Sequence, residues 1–135
     1  MKVVADTMIW VSYCTNDDGF RHRVIERAYR QRVRFFVSEY ILQELAETLV
    51  DDLDFSTRFS YFARRAVLRR AKEVVLPRVV GSFVPGDVKD NPIVQTALTA
   101  KSDYLVTADK VILRLHKVRD VEVISLDRFE SLLKP

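Results

Sequence analysis

Residues 90–113 read DNPIVQTALTAKSDYLVTADKVIL, and this stretch decides the fold. Pro92 suits the first position of a helix, which makes Asn91 the expected cap, and helical period continues through Ala100. Tyr104 to Thr107 (YLVT) then forms a short, largely apolar run of the kind that makes a buried strand, and it stops at Ala108 and Asp109. A helix feeding a buried strand that ends on a carboxylate is a repeating unit of α/β folds.

The same unit can be followed outward along the chain. Residues 2–5 (KVVA) form a β-branched run that ends at Asp6, and residues 34–37 (RFFV) and 121–124 (VEVI) make two further strand candidates. Segments with helical period lie between and after them, at residues 20–32, 38–50, 55–74, 92–100 and 126–133. Parallel strands need crossover connections and helices supply them, so the expectation is an α/β/α sandwich of three layers around a short parallel sheet. Residues 76–89, with Pro77, Gly81, Pro85 and Gly86, read as a loop or an irregular short strand.

Composition bounds the rest. The chain has 135 residues, 48% of them apolar and 30% charged, which suits one compact domain over residues 1–135 and argues against disorder. Net charge is only +3, so where the charge lies matters more than its sum. The single Cys14 cannot close an internal disulfide, which favours a reducing cytoplasm. The apolar run at residues 8–14 is interrupted in front by Asp6 and lacks a cleavage site, and no run reaches the length of a membrane span.

The chemistry lies in carboxylates. Asp6 and Asp109 each follow a strand candidate, and in open parallel sheets ligands bind beyond the carboxyl ends of the strands. If those strands are neighbours, the two acids face one crevice, where a divalent cation would neutralise them; alternatively each begins a turn or caps a helix. With Asn91 as cap, Asp90 is free to point into the same crevice, or else it serves the helix dipole. Glu44 sits at the border of the apolar stripe Ile41, Leu42, Leu45 and Leu49, where it can reach across a cleft or belong to a solvated acidic helix end.

Four carboxylates from separate segments suit Mg²⁺ or Mn²⁺, which prefer hard oxygen ligands. The two histidines, His22 and His116, lack zinc-site spacing with Cys14, and nothing aligns Cys14 with a histidine as a thiol nucleophile. No phosphate-cradling glycine string is present. Two basic stripes stand out: Arg23, Arg27, Arg30 and Arg34, and then Arg58, Arg65, Arg69 and Lys72. Either stripe could follow a nucleic-acid backbone or be a solvated helix face, and Phe59, Tyr61 and Phe62, which interleave the second, read as core or interface residues.

Taken together, VVADTMIWVS, SEYILQELAETL, DNPIVQTALTAKSDYLVTADKVIL and EVISLDRF resemble the PIN domain family, especially the VapC-like ribonuclease toxins of toxin-antitoxin pairs. The resemblance spans nearly the whole chain. It implies that Asp6, Glu44, Asp90 and Asp109 form the acidic site of an endoribonuclease dependent on Mg²⁺ or Mn²⁺, with Thr107 as an auxiliary polar group. It also implies an RNA substrate, an antitoxin protein and a homodimer. Asp103 precedes its strand, belongs at the opposite end of the sheet and reads as structural. Where many relatives carry another acid two positions after the fourth, this chain has Val111, a departure that bears on metal affinity and on a second metal position.

Two other α/β classes fit less well. A phosphorelay receiver needs paired acids after its first strand, and a haloacid-dehalogenase-like phosphatase needs a second Asp where Met8 stands. The stronger rival is a PIN-like module that binds RNA or protein without cutting.

Overall fold

A computed structural model describes all 135 residues. Six strands form one sheet in the order β3-β2-β1-β4-β6-β5: β1 is Lys2–Ala5, β2 Arg34–Ser38, β3 Ala71–Val74, β4 Tyr104–Val106, β5 Lys117–Val118 and β6 Val121–Ile124. The five strands from β3 to β6 are parallel, and β5 adds an antiparallel edge. The α/β layering expected from the sequence is therefore present, with a mixed, mostly parallel sheet flanked by helices.

The helices are α1 Thr7–Thr15, α2 Phe20–Arg30, α3 Glu39–Glu47, α4 Thr57–Leu68, α5 Asn91–Thr99, α6 Lys110–Leu113 and α7 Leu126–Ser131. From β1 the chain moves to β2 on one side, whereas β4 lies on the other, so strand order reverses between β1 and β4. Right-handed crossovers then send α1 and α2 to one face of the sheet and α5 to the other, which leaves a crevice at the carboxyl ends of β1 and β4. On the first face Trp10 meets Phe35 edge to face, and Phe35 meets Phe129 of α7 in the same way. On the other, Ile93, Val94 and Ala97 of α5 are buried in the same core.

Beyond the short helix α6 and the edge strand β5, which the sequence reading did not include, four details depart from it. Residues 7–15 form α1 although they show no helical period, because Ile9, Trp10, Val11 and Tyr13 are buried around most of its circumference. The helix expected over residues 55–74 ends at Leu68, and residues 71–74 turn into the edge strand β3, with Ala71 opposite Phe35 and Val74 opposite Ser38. Lys72 and Glu73 are exposed on that edge, which removed the apolar signature of a strand. After α3 the chain continues as a π-helical turn, Thr48–Asp52, where a plain helical extension was expected.

Asn91 is the fourth correction. A 3₁₀ turn, Val88–Asp90, runs directly into α5, so Asp90 takes the cap position and Asn91 lies inside the first turn. The Asn91 amide oxygen is occupied instead by the loop before it, accepting from Phe83 N at 2.8 Å and Val84 N at 2.9 Å. Residues 76–87 otherwise carry no helix or strand, as their prolines and glycines suggested.

Candidate functional site

At the carboxyl ends of β1 and β4 lies a cleft of about 410 Å³, lined by Asp6, Thr7, Met8, Arg21, Glu44, Thr48, Asp90, Ile93, Ala108 and Asp109. The four acids singled out in the sequence come to it from four different elements. Asp6 follows β1 and caps α1; its Oδ1 accepts from Met8 N at 3.0 Å and Ile9 N at 3.4 Å. Asp109 caps α6 in the same way, its Oδ1 accepting from Val111 N at 2.8 Å. Capping and facing the crevice are thus not alternatives here: one carboxylate oxygen caps while the group as a whole lines the cleft.

Register explains how Asp6 meets Thr107. Ala5 pairs with Val106, so the next residues, Asp6 and Thr107, stand side by side on neighbouring parallel strands. The Thr107 hydroxyl donates to Asp6 Oδ2 and accepts from Asp109 N at 3.0 Å, joining the two acids through one completely buried side chain. Such a link fixes the orientation of Asp6, since each of its oxygens already has a defined donor.

Glu44 reaches the cleft because Ser38, the last residue of β2, caps α3, whose apolar stripe turns Ile41, Leu42 and Leu45 inward. The Thr7 hydroxyl donates to Glu44 Oε1 at 2.6 Å, tying the first turn of α1 to the middle of α3. Nothing in the sequence marked Thr7, whose partner lies 37 residues away. Arg21 of α2 was equally unmarked; its guanidinium donates to Ser12 Oγ at 2.9 Å and Met8 O at 3.3 Å, and it forms no ion pair with the carboxylates beside it.

Asp90 is placed by contacts on both sides. Tyr40 OH donates to Lys89 O at 2.7 Å, and Thr96 of α5 donates to Ser38 Oγ at 2.8 Å, so the start of α5 is moored to the start of α3. The Asp90 side chain makes no capping bond, and its Oδ2 is buried without any hydrogen-bond partner. A buried, unpartnered carboxylate oxygen is costly unless something positive reaches it.

The electrostatics agree with that reading. Burial raises the Asp6 carboxyl above its ordinary range, against the lowering effect of the Thr107, Ile9 and Met8 bonds, with Asp109 adding repulsion. Burial also raises Glu44, with repulsion from Asp6 and Glu47. Asp90 is pushed up to about 7, first by burial, then by Asp87, Asp109 and Asp6. Each of these acids resists ionising in the absence of a positive partner.

No three His, Cys, Asp or Glu side chains stand close enough to form a ready-made ion site. The donor set nevertheless fits a hard divalent cation: oxygen ligands only, an orphaned Asp90 Oδ2, and carboxyls held high by burial. Asp103 lies at the far end of the sheet, where its Oδ2 accepts from Lys2 N at 2.8 Å. Cys14 faces the Ala63 carbonyl with its thiol pushed up to about 12 by burial, which makes it a poor nucleophile.

Residues 2–111 match the family model described as PIN domain. No curated protein matches the chain in sequence. Among solved structures, VapBC2 from Rickettsia felis, determined bound to a DNA fragment from its promoter, contains a similar chain; the TM-score is 0.66 at 13% identity, covering 93% of this chain and 98% of that one. At that identity the similarity speaks for the fold alone.

Proposed function

Because the chain belongs to the PIN domain family, we propose that it is a metal-dependent endoribonuclease that hydrolyses RNA phosphodiester bonds, acting as the toxin of a toxin-antitoxin pair. The observation that carries this reading is the convergence of Asp6, Glu44, Asp90 and Asp109 on one cleft at the strand-order reversal, with Asp90 Oδ2 left unpartnered. Asp6, Asp90 and Asp109 would hold Mg²⁺ or Mn²⁺ directly or through water, with Glu44 positioning water or a second ion. When bound, the cation supplies an activated water and charge stabilisation at the phosphate.

The chain's own residues do the rest. Thr107 holds Asp6 and the Asp109 backbone in one orientation, and Thr7 holds Glu44 toward the cleft. Arg21 has guanidinium donors to spare beyond Ser12 and Met8, and as the one cation lining the cleft it suits a substrate phosphate. The family resemblance extends the proposal to one PIN-like domain over residues 1–135, a homodimer and an antitoxin partner. The half-buried lone Cys14 suits a cytoplasmic setting, and no helix is long and apolar enough to cross a membrane.

A second reading, RNA or protein binding without cleavage, is favoured by the lack of a preformed ion site and by exposed Val111. Incubating the protein with single-stranded and structured RNA, with Mn²⁺ or with chelator, separates the two. Cleavage that needs the metal and falls at least about 100-fold in Asp6→Asn supports the nuclease. Retention of RNA that ignores both metal and Asp6→Asn, with no cleavage, supports the binding module.

A further inference from the structure

The largest cleft of the molecule, about 710 Å³, is at the other end of the sheet and carries the opposite charge. It opens between the C-terminal ends of α2 and α4 and the amino ends of β2 and β3. Arg32, Arg34, Arg69, Arg70 and Lys72 line it together with Tyr29, and no carboxylate does. The last members of the two basic stripes of the sequence thus meet, because α2 and α4 both run toward the amino edge of the sheet: Arg34 ends the first stripe, and Arg69 and Lys72 end the second, whereas Arg23, Arg27 and Arg30 line a different cleft.

Helix dipoles explain part of this clustering. Two helix C-termini contribute roughly half a negative charge each. Only Arg70 has an acidic partner, Glu26 at 2.9 Å, so Arg32, Arg34, Arg69 and Lys72 remain without an ion pair and in excess of the dipoles. Arg32 takes a left-handed backbone conformation, as one of five non-glycine residues that do. It follows α2 with φ 66°, and Val33 N closes the helix end onto Ala28 O at 3.0 Å.

From this convergence we infer that the amino end of the sheet is a second RNA-binding site, which grips the phosphodiester backbone of the same RNA away from the point of cleavage. Guanidinium forks match phosphate oxygens in shape and charge. Tyr29 adds an aromatic side chain: the residue is 41% exposed, and the Arg70 guanidinium lies over one face of its ring at 4.3 Å. Cations beside an exposed ring suit phosphates and a stacked base together, which favours RNA over an acidic protein segment.

The inference rests on the proposal that RNA is the substrate, and its test is binding, read apart from cleavage. Fluorescence anisotropy with a labelled single-stranded RNA, in chelator and over a salt series, compares wild type, Arg34→Ala/Lys72→Ala and Arg58→Ala/Arg65→Ala, with folding checked by thermal melting. Expected for Arg34→Ala/Lys72→Ala is roughly tenfold weaker binding at low salt and a salt slope smaller by about 1.4, with near wild-type behaviour in the control pair. Equal binding by all three, or equal loss in both double variants, overturns the site. Competition by poly-glutamate as strong as by unlabelled RNA overturns the RNA assignment. If wild type cleaves no RNA yet Arg34→Ala/Lys72→Ala still loses binding, the nuclease reading fails and RNA binding at this cleft stands without its link to a point of cleavage; active cleavage with unchanged binding overturns this site and leaves the nuclease reading.

Discussion

The two ends of this one sheet carry aspartates with very different surroundings. Asp6, just after β1, is 5% exposed and raised by burial, and its neighbours at that end are three more carboxylates. Asp103, just before β4, is exposed and accepts one backbone bond from Lys2, near an edge whose cleft is lined by cations. The residue type is the same and the strands are adjacent; what differs is chain direction. In parallel strands every carboxyl end falls on one side, and where strand order reverses the covering helices part and leave that side open as a crevice. An acid placed there has neighbours of its own charge and little water.

The comparison can be broken most severely at Thr107. Replacing Thr107 with Val removes the donor to Asp6 and the acceptor for Asp109 N, so metal-dependent RNA cleavage is expected to fall about 10–100-fold. Titrating Mn²⁺ against this variant checks it: a metal requirement unchanged from wild type would show that Asp6 needs no such support.

Next in size is the response to pH without metal. The folded-state values of Asp6, Glu44 and Asp90 all lie above their ordinary ones, so these acids favour the fold while protonated. For Asp90 that stabilisation is complete below its ordinary value of 3.8 and disappears as pH rises through about 7. Glu26 and Glu39, held low by Arg70 and Arg64, act in the opposite sense, but only below their ordinary 4.5. Between those limits the melting temperature of the metal-free protein should drop by a few degrees as pH rises, and Mn²⁺ should restore it on the basic side. A metal-free melting temperature that climbs across the same window contradicts this account of the cleft.

The smallest effect belongs to Asp103. Substituting Ala there removes a single exposed hydrogen bond, at about 0.5–1.5 kcal/mol, and should leave cleavage within about twofold of wild type. A large loss of activity in Asp103→Ala would mean that the two ends of the sheet are not chemically distinct.

Several features of the fold could be read from local chemistry. The apolar runs at residues 2–5, 104–107 and 121–124, and the helical period between them, signalled alternating strands and helices because burial of a strand or of one helix face leaves a mark in consecutive residues. That mark failed where burial was not one-sided. Helix α1 is apolar nearly all round, and β3 shows Lys72 and Glu73 to solvent, so neither has the periodicity its geometry would ordinarily impose. The cap of α5 was misassigned to Asn91 because the occupants of its amide oxygen, Phe83 N and Val84 N, lie in a loop with no regular pattern.

By itself, then, the sequence determined an α/β chain with acids after two strands and at two helices, because hydrophobic period and strand termination are local properties. Only the tertiary structure decided that β1 and β4 are neighbours, that Thr7 and Thr107 serve Glu44 and Asp6, and that the ends of two separate basic stripes meet at one cleft. Those outcomes depend on strand order and helix direction, which arise from packing between residues tens of positions apart and leave no trace in the spacing of any one segment.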